Sequence, residues 1–137
     1  MLALRRVAKE AQDRKQTILF VPCHKSHVDY LLFSFLLYRM GIALPHIIAG
    51  KTLDLPVMGE VLRHNGAMFV RRTFHGDELY PKLIKEYIME LIARGMIIEV
   101  FIEGTRARTG TLLAPRYGIL KYLVEAILPE RTCDFLD

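Results

Sequence analysis

Cysteine is scarce in this sequence: Cys23 and Cys133 stand far apart, with no paired spacing. That excludes a disulfide-stapled scaffold and a zinc module built on cysteine pairs. Long apolar runs are missing too. The greasiest stretch, Tyr30 to Met58, is cut by Arg39 and Lys51, so nothing reaches the ~20 apolar residues a membrane span needs. Basic residues near the N-terminus are not followed by an apolar stretch and a small-residue cleavage site, so no secretory signal is visible. Repeats, linkers and low-complexity segments are absent. No Gly-x-Gly-x-x-Gly or phosphate-loop sequence follows a strand-like segment, which argues against a nucleotide-binding α/β domain.

What is present suits a single packed domain: 137 residues, 52% hydrophobic and 25% charged. The mean hydropathy of +0.22 is high for a soluble domain. The formal charge is +4, and residues 1–16 carry most of it, with five basic residues against Glu10 and Asp13. The leader MLALRRVAKEAQDRK reads as a basic amphipathic helix with Leu2, Leu4, Val7 and Ala11 on one side. Such a helix can lie on an anionic membrane surface or simply lead into the domain. A pI near 9.2 is compatible with nucleic acid. However, no basic stripe with interleaved aromatics occurs, so no nucleic-acid partner is expected.

Strand-like and helix-like segments alternate. Residues 16–23 (QTILFVPC), 44–50, 67–72 and 96–102 read as strands, the last too apolar to face water. Ser26-x-x-Asp29 resembles a capping box opening a helix that is apolar on nearly every face and ends at Gly41. A short helix is expected over 57–64. A clearer one spans Tyr80 to Arg94, with Leu83, Ile84, Tyr87, Ile88, Leu91 and Ile92 as its stripe and Gly95 as its stop. A last helix aligns Leu120, Leu123, Val124 and Ile127. The alternation predicts an α/β fold with a mostly parallel sheet flanked by helices, whose site gathers at the carboxyl ends of the strands.

Polar clusters fall at those ends. In Cys23-His24-Lys25-Ser26-His27-Val28-Asp29, His24 and Asp29 can meet only if His24 lies in the loop before the helix. Asp29 would then hold one imidazole nitrogen and leave the other as a general base, or would only cap the Ser26 amide. His24 and His27 are too closely spaced for a helical metal pair and have no evident third ligand, so no metal is expected. Cys23 reads as a packing residue. Arg71 and Arg72 end one strand; Glu103-Gly104-Thr105-Arg106-Ala107-Arg108-Thr109 follows another and suits an anionic group, or is a charged surface loop. Lys51, after a third strand, is either a further phosphate contact or a solvated lysine.

In their order and spacing, PCHKSHVDYLL, GAMFVRRTF and VFIEGTRARTG resemble the first three motifs of the glycerolipid acyltransferase superfamily. RRTFHGDELY and LPHIIAG are similar to its glycerol-3-phosphate and dihydroxyacetone-phosphate branch. The resemblance covers about residues 17–122. It implies that His24 is the catalytic base and Asp29 its orienting partner. It also implies that Lys25, Ser26, Lys51, Phe69, Arg72, Glu103, Gly104, Thr105, Arg106 and Arg108 serve substrate binding. Gly66 matches the second motif as well. Lys25 stands where arginine is common, and Ala107 replaces a usual serine.

The implied reaction moves a fatty acyl group from acyl-CoA or acyl carrier protein to glycerol 3-phosphate or dihydroxyacetone phosphate, with no cofactor. The expected setting is a membrane surface, with the organelle open. The resemblance divides the chain into a leader (1–16) and a catalytic domain (17–137). That domain is expected to be partial, since the family's fourth motif is missing. Rival readings are a lysophospholipid acyltransferase, and an inactive module that binds anionic lipid.

Overall fold

The computed structural model describes residues 2–26, 28–51, 56, 58–71, 76–107 and 109–128. Its described elements are α1 (Leu2–Asp13), β1 (Leu19–Phe20), α2 (Asp29–Arg39), β2 (His46–Gly50), α3 (Met58–His64), β3 (Met68–Val70), α4 (Leu79–Ala93), β4 (Ile98–Val100) and α5 (Gly118–Ile127). The strands form one sheet in the order β1-β4-β2-β3, and every pair is parallel. The α/β expectation therefore holds. The strands are shorter than the apolar runs that announced them, because a strand extends only as far as a neighbour pairs with it. β1, at the sheet's edge, meets β4 over two residues, Leu19 opposite Ile98 and Phe20 opposite Glu99.

Side-chain alternation divides the core between the two faces of the sheet. Ile48, Val70, Ile98 and Val100 point to one face, where Ile84, Ile88 and Leu91 of α4 and Leu123 of α5 cover them. Ile47 and Ala49 point to the other, against Tyr30 of α2 and Leu62 of α3. Two expected stripes are rotated. In α4, Leu83 is 60% and Tyr87 40% exposed, while Tyr80 and Ile92 flank the buried line. In α5, Val124 and Ile127 face outward, and Ile119, Tyr122 and Ala126 pack inward with Leu120 and Leu123. Both helices hold more apolar residues than the sheet can cover, so periodicity left the centre of the buried face undetermined. The same applies to α1, where Ala11 is buried while Leu2 and Val7 are exposed.

Helix α2 is apolar all round, as expected, but only Tyr30 and Leu37 are fully buried. It starts later than the capping-box pattern predicts: its N-cap is Val28, and Asp29 is its first residue. Gly95 ends α4 with φ +67°, and a Cβ there would lie 2.8 Å from the Lys15 carbonyl oxygen. Only glycine suits both the left-handed turn and the close passage of the chain. One residue contradicts its surroundings. Glu99, mid-β4 on the α2 face, has no exposed surface, and neither carboxylate oxygen has a hydrogen-bond partner among the described residues. Burial pushes its carboxyl up to about 7.

Candidate active site

Because the strands are parallel, their carboxyl ends share one edge, and the loops leaving them converge there. The loop after β1 carries His24. Its imidazole is buried, and Nδ1 lies 3.3 Å from Asp29 Oδ2. The same oxygen accepts the backbone N–H groups of Lys25 and Ser26, both at 2.7 Å. Contact with the His24 ring and capping of the Ser26 amide, alternatives on sequence grounds, are made by the same carboxylate oxygen. Ser26 Oγ accepts from the Val28 amide at 3.2 Å, which closes the turn locally.

The electrostatics of the pair follow from these contacts. Burial alone would raise the Asp29 carboxyl, but the Ser26 and Lys25 amides and the His24 imidazole outweigh it and hold Asp29 below its ordinary value. An ionised carboxylate can only accept, so in the neutral imidazole the proton sits on Nδ1 and Nε2 keeps its lone pair. The ring is steadied from another side by Phe101, whose centroid lies 4.5 Å away at a 43° tilt.

The loop after β4 is stitched to the first: the Ala107 N–H donates to the His24 carbonyl at 2.8 Å. Ala107 is buried, which accounts for a small side chain at that position. The two loops border a cavity of about 450 Å³. Its polar rim includes His24, Thr105, Arg106 and Arg71, and its apolar wall includes Ile48, Val70, Val100, Ile119 and Leu120.

The sequence-derived residues distribute unevenly around this cavity. His24, Gly104, Thr105 and Arg106 line it. Phe69 packs with the α2-side core, and the Arg63 guanidinium lies over its ring at 5.3 Å. Glu103 is buried, with Oε2 unpartnered among the described residues, and does not line the cavity. Lys25 and Lys51 are exposed and do not line it either. Arg72 and Arg108 lie outside the described residues. Among the described residues, no three His, Cys, Asp or Glu side chains cluster as metal ligands would.

Tyr30 and Arg116 escape the sequence reading, whereas Arg71 is one of the two arginines it places at a strand end. Tyr30 is buried between the sheet and the cavity; its place directly after Asp29 on the inward side of α2 was the available signal. Arg71 lines the cavity and donates to Asp77 at 3.1 Å, with its guanidinium over the Tyr80 ring. Arg116 enters from the segment before α5, a position with no motif to mark it.

A model of a family described as acyltransferase matches residues 4–134, nearly the whole chain. This chain belongs to the acyltransferase family. Relatives of the chain include the glycerol-3-phosphate acyltransferase of Pasteurella multocida, 48% identical over 127 residues. That alignment covers 93% of this chain and 16% of the relative. The glycerol-3-phosphate acyltransferase of Pseudomonas aeruginosa strain UCBPP-PA14 is 47% identical over the same length, covering 93% and 15%. That of Histophilus somni is 46% identical over 124 residues, covering 90% and 15%. The chain thus spans about a sixth of the length of these relatives. No helix among its described residues is long and apolar enough to cross a membrane.

Proposed function

We propose that this acyltransferase transfers a fatty acyl group from an acyl thioester, acyl-CoA or acyl carrier protein, to the sn-1 hydroxyl of glycerol 3-phosphate. The observation that carries this reading is the His24–Asp29 pair at the rim of a cavity whose described charged walls are all cationic apart from the imidazole. The relatives' names, glycerol-3-phosphate acyltransferases, support glycerol 3-phosphate over dihydroxyacetone phosphate as acceptor.

In this mechanism His24 Nε2 removes the hydroxyl proton as the oxygen attacks the thioester carbonyl carbon. Asp29, held ionised by its amide donors, stabilises the imidazolium that forms. The tetrahedral intermediate collapses, the C–S bond breaks, and the thiolate leaves with the proton returned from His24. Arg106, with Arg72 and Arg108 from the second and third motifs, would hold the acceptor phosphate so that the hydroxyl meets His24 in a reactive pose. Donor and product are amphiphiles, so the enzyme works at a membrane surface, with the basic leader as one contact.

His24→Ala in the intact protein should abolish acyl transfer to glycerol 3-phosphate while leaving the circular dichroism spectrum unchanged. Substantial remaining activity would refute the assignment. Competition between glycerol 3-phosphate, dihydroxyacetone phosphate and lysophospholipid acceptors distinguishes the activities within the superfamily.

A further inference from the structure

The loop after β4 brings one more cation to the cavity than the motifs account for. The chain leaves β4, runs out past Thr109, and returns so that the Arg116 N–H donates to the Ile102 carbonyl at 2.7 Å. The Arg116 side chain then lies across Gly104. A Cβ on residue 104 would sit 2.8 Å from Arg116 Cδ, 3.5 Å from Nε and 3.6 Å from Cγ. Gly104 also has φ +64°. Glycine at this position therefore satisfies the turn and makes room for the arginine.

Arg116 lines the same cavity as His24, Gly104, Thr105 and Arg106. Arg71, the third arginine among the described lining residues, is engaged by Asp77 at 3.1 Å. Neither Arg106 nor Arg116 has an ion pair among the described residues, and no described acidic side chain lines the cavity. Two guanidinium groups that line one cavity without a counter-charge among the described residues suit a doubly charged phosphate, which would satisfy their donors.

We propose that Arg116 is a second phosphate-holding guanidinium of this site, acting with Arg106 and seated by the missing side chain of Gly104. The acceptor phosphate is thereby held from both ends of the loop spanning residues 104–116. The inference rests on the acyltransferase reading above and extends it to a residue outside the recognised motifs.

The test uses the intact protein with acyl-CoA and glycerol 3-phosphate. Arg116→Ala should raise the acceptor KM about tenfold or more, the loss of one charge-assisted contact. The acyl-CoA KM should stay within about twofold, and Arg116→Lys should recover part of the loss. Inorganic phosphate, a competitor of glycerol 3-phosphate, should inhibit the alanine variant more weakly by a similar factor. Gly104→Ala displaces Arg116, so its penalty on acceptor KM should shrink in the Arg116→Ala background.

An unchanged acceptor KM overturns the proposal, as does a rise confined to the acyl-CoA KM, which would assign Arg116 to the donor's phosphates. A fall in kcat with both KM values unmoved would mark a merely structural residue. Full additivity of the two substitutions overturns the seating role of Gly104. Failure of the acyltransferase reading looks different: the wild-type protein would not acylate glycerol 3-phosphate. Calorimetric binding of inorganic phosphate to wild type and to Arg116→Ala would still decide whether Arg116 holds the anion.

Discussion

Replacing Glu99 with glutamine should make the chain more stable above neutral pH than the wild type, by an amount that depends on pH in one direction only. Glu99 is fully buried on the α2 face of β4, between Phe20 and Ile47 in register, with neither oxygen hydrogen-bonded among the described residues. Its carboxyl is raised from the ordinary 4.5 to about 7 by burial. Between those values the folded state keeps a proton that the unfolded state releases. Stability therefore falls as pH rises through the window, by about 1.4 kcal/mol per pH unit and about 3 kcal/mol in all, and levels off above pH 7.

The glutamine variant keeps a buried polar group whose cost does not depend on pH, so it lacks this decline. Asp29 shifts the opposite way. Its contribution is lost only as pH falls through its depressed pKa, below the window, and it cancels in the difference between variant and wild type. Urea unfolding followed by circular dichroism at pH 5 and pH 8 measures the effect, with matched m-values as the check on two-state behaviour. An infrared band of a protonated carboxyl persisting at pH 6, and absent from the variant, would identify the group directly. A wild-type-minus-variant difference that stays flat from pH 5 to pH 8 would refute the reasoning and show that Glu99 is ionised and compensated.

Asp29→Asn keeps an oxygen near His24 but cannot stabilise the imidazolium, so kcat should fall on the order of a hundredfold with acceptor KM little changed, measured by steady-state kinetics. Gly95→Ala forces a side chain onto the Lys15 carbonyl at a left-handed position; urea midpoints should report a loss of about 1–3 kcal/mol. Ile88→Ala empties a fully buried place between α4 and the sheet and should cost about 2–5 kcal/mol in the same assay.

The sequence by itself determined the alternation of elements, the parallel α/β class and the motifs that end its strands. Each of these is written in local pattern: β-branched runs, helix stripes closed by glycine, and short polar clusters at fixed spacing. It also brought His24 and Asp29 within reach of one another, since five residues across a loop and a helix start leave few other arrangements. What it left open depended on which neighbour each residue meets. Which side of α4 and α5 turns inward was decided by how much sheet there is to cover. Whether Asp29 caps the Ser26 amide or meets the His24 ring was decided by an oxygen placed to do both.

Arg116 and Gly104 are twelve residues apart and carry no local signal of contact. Only the return of the chain to the Ile102 carbonyl sets one against the other. Glu99 sits in a run of apolar residues that correctly announces a buried strand. That its carboxyl meets no partner among the described residues was set by the strands on either side of it, a property of the assembled sheet and of no single segment.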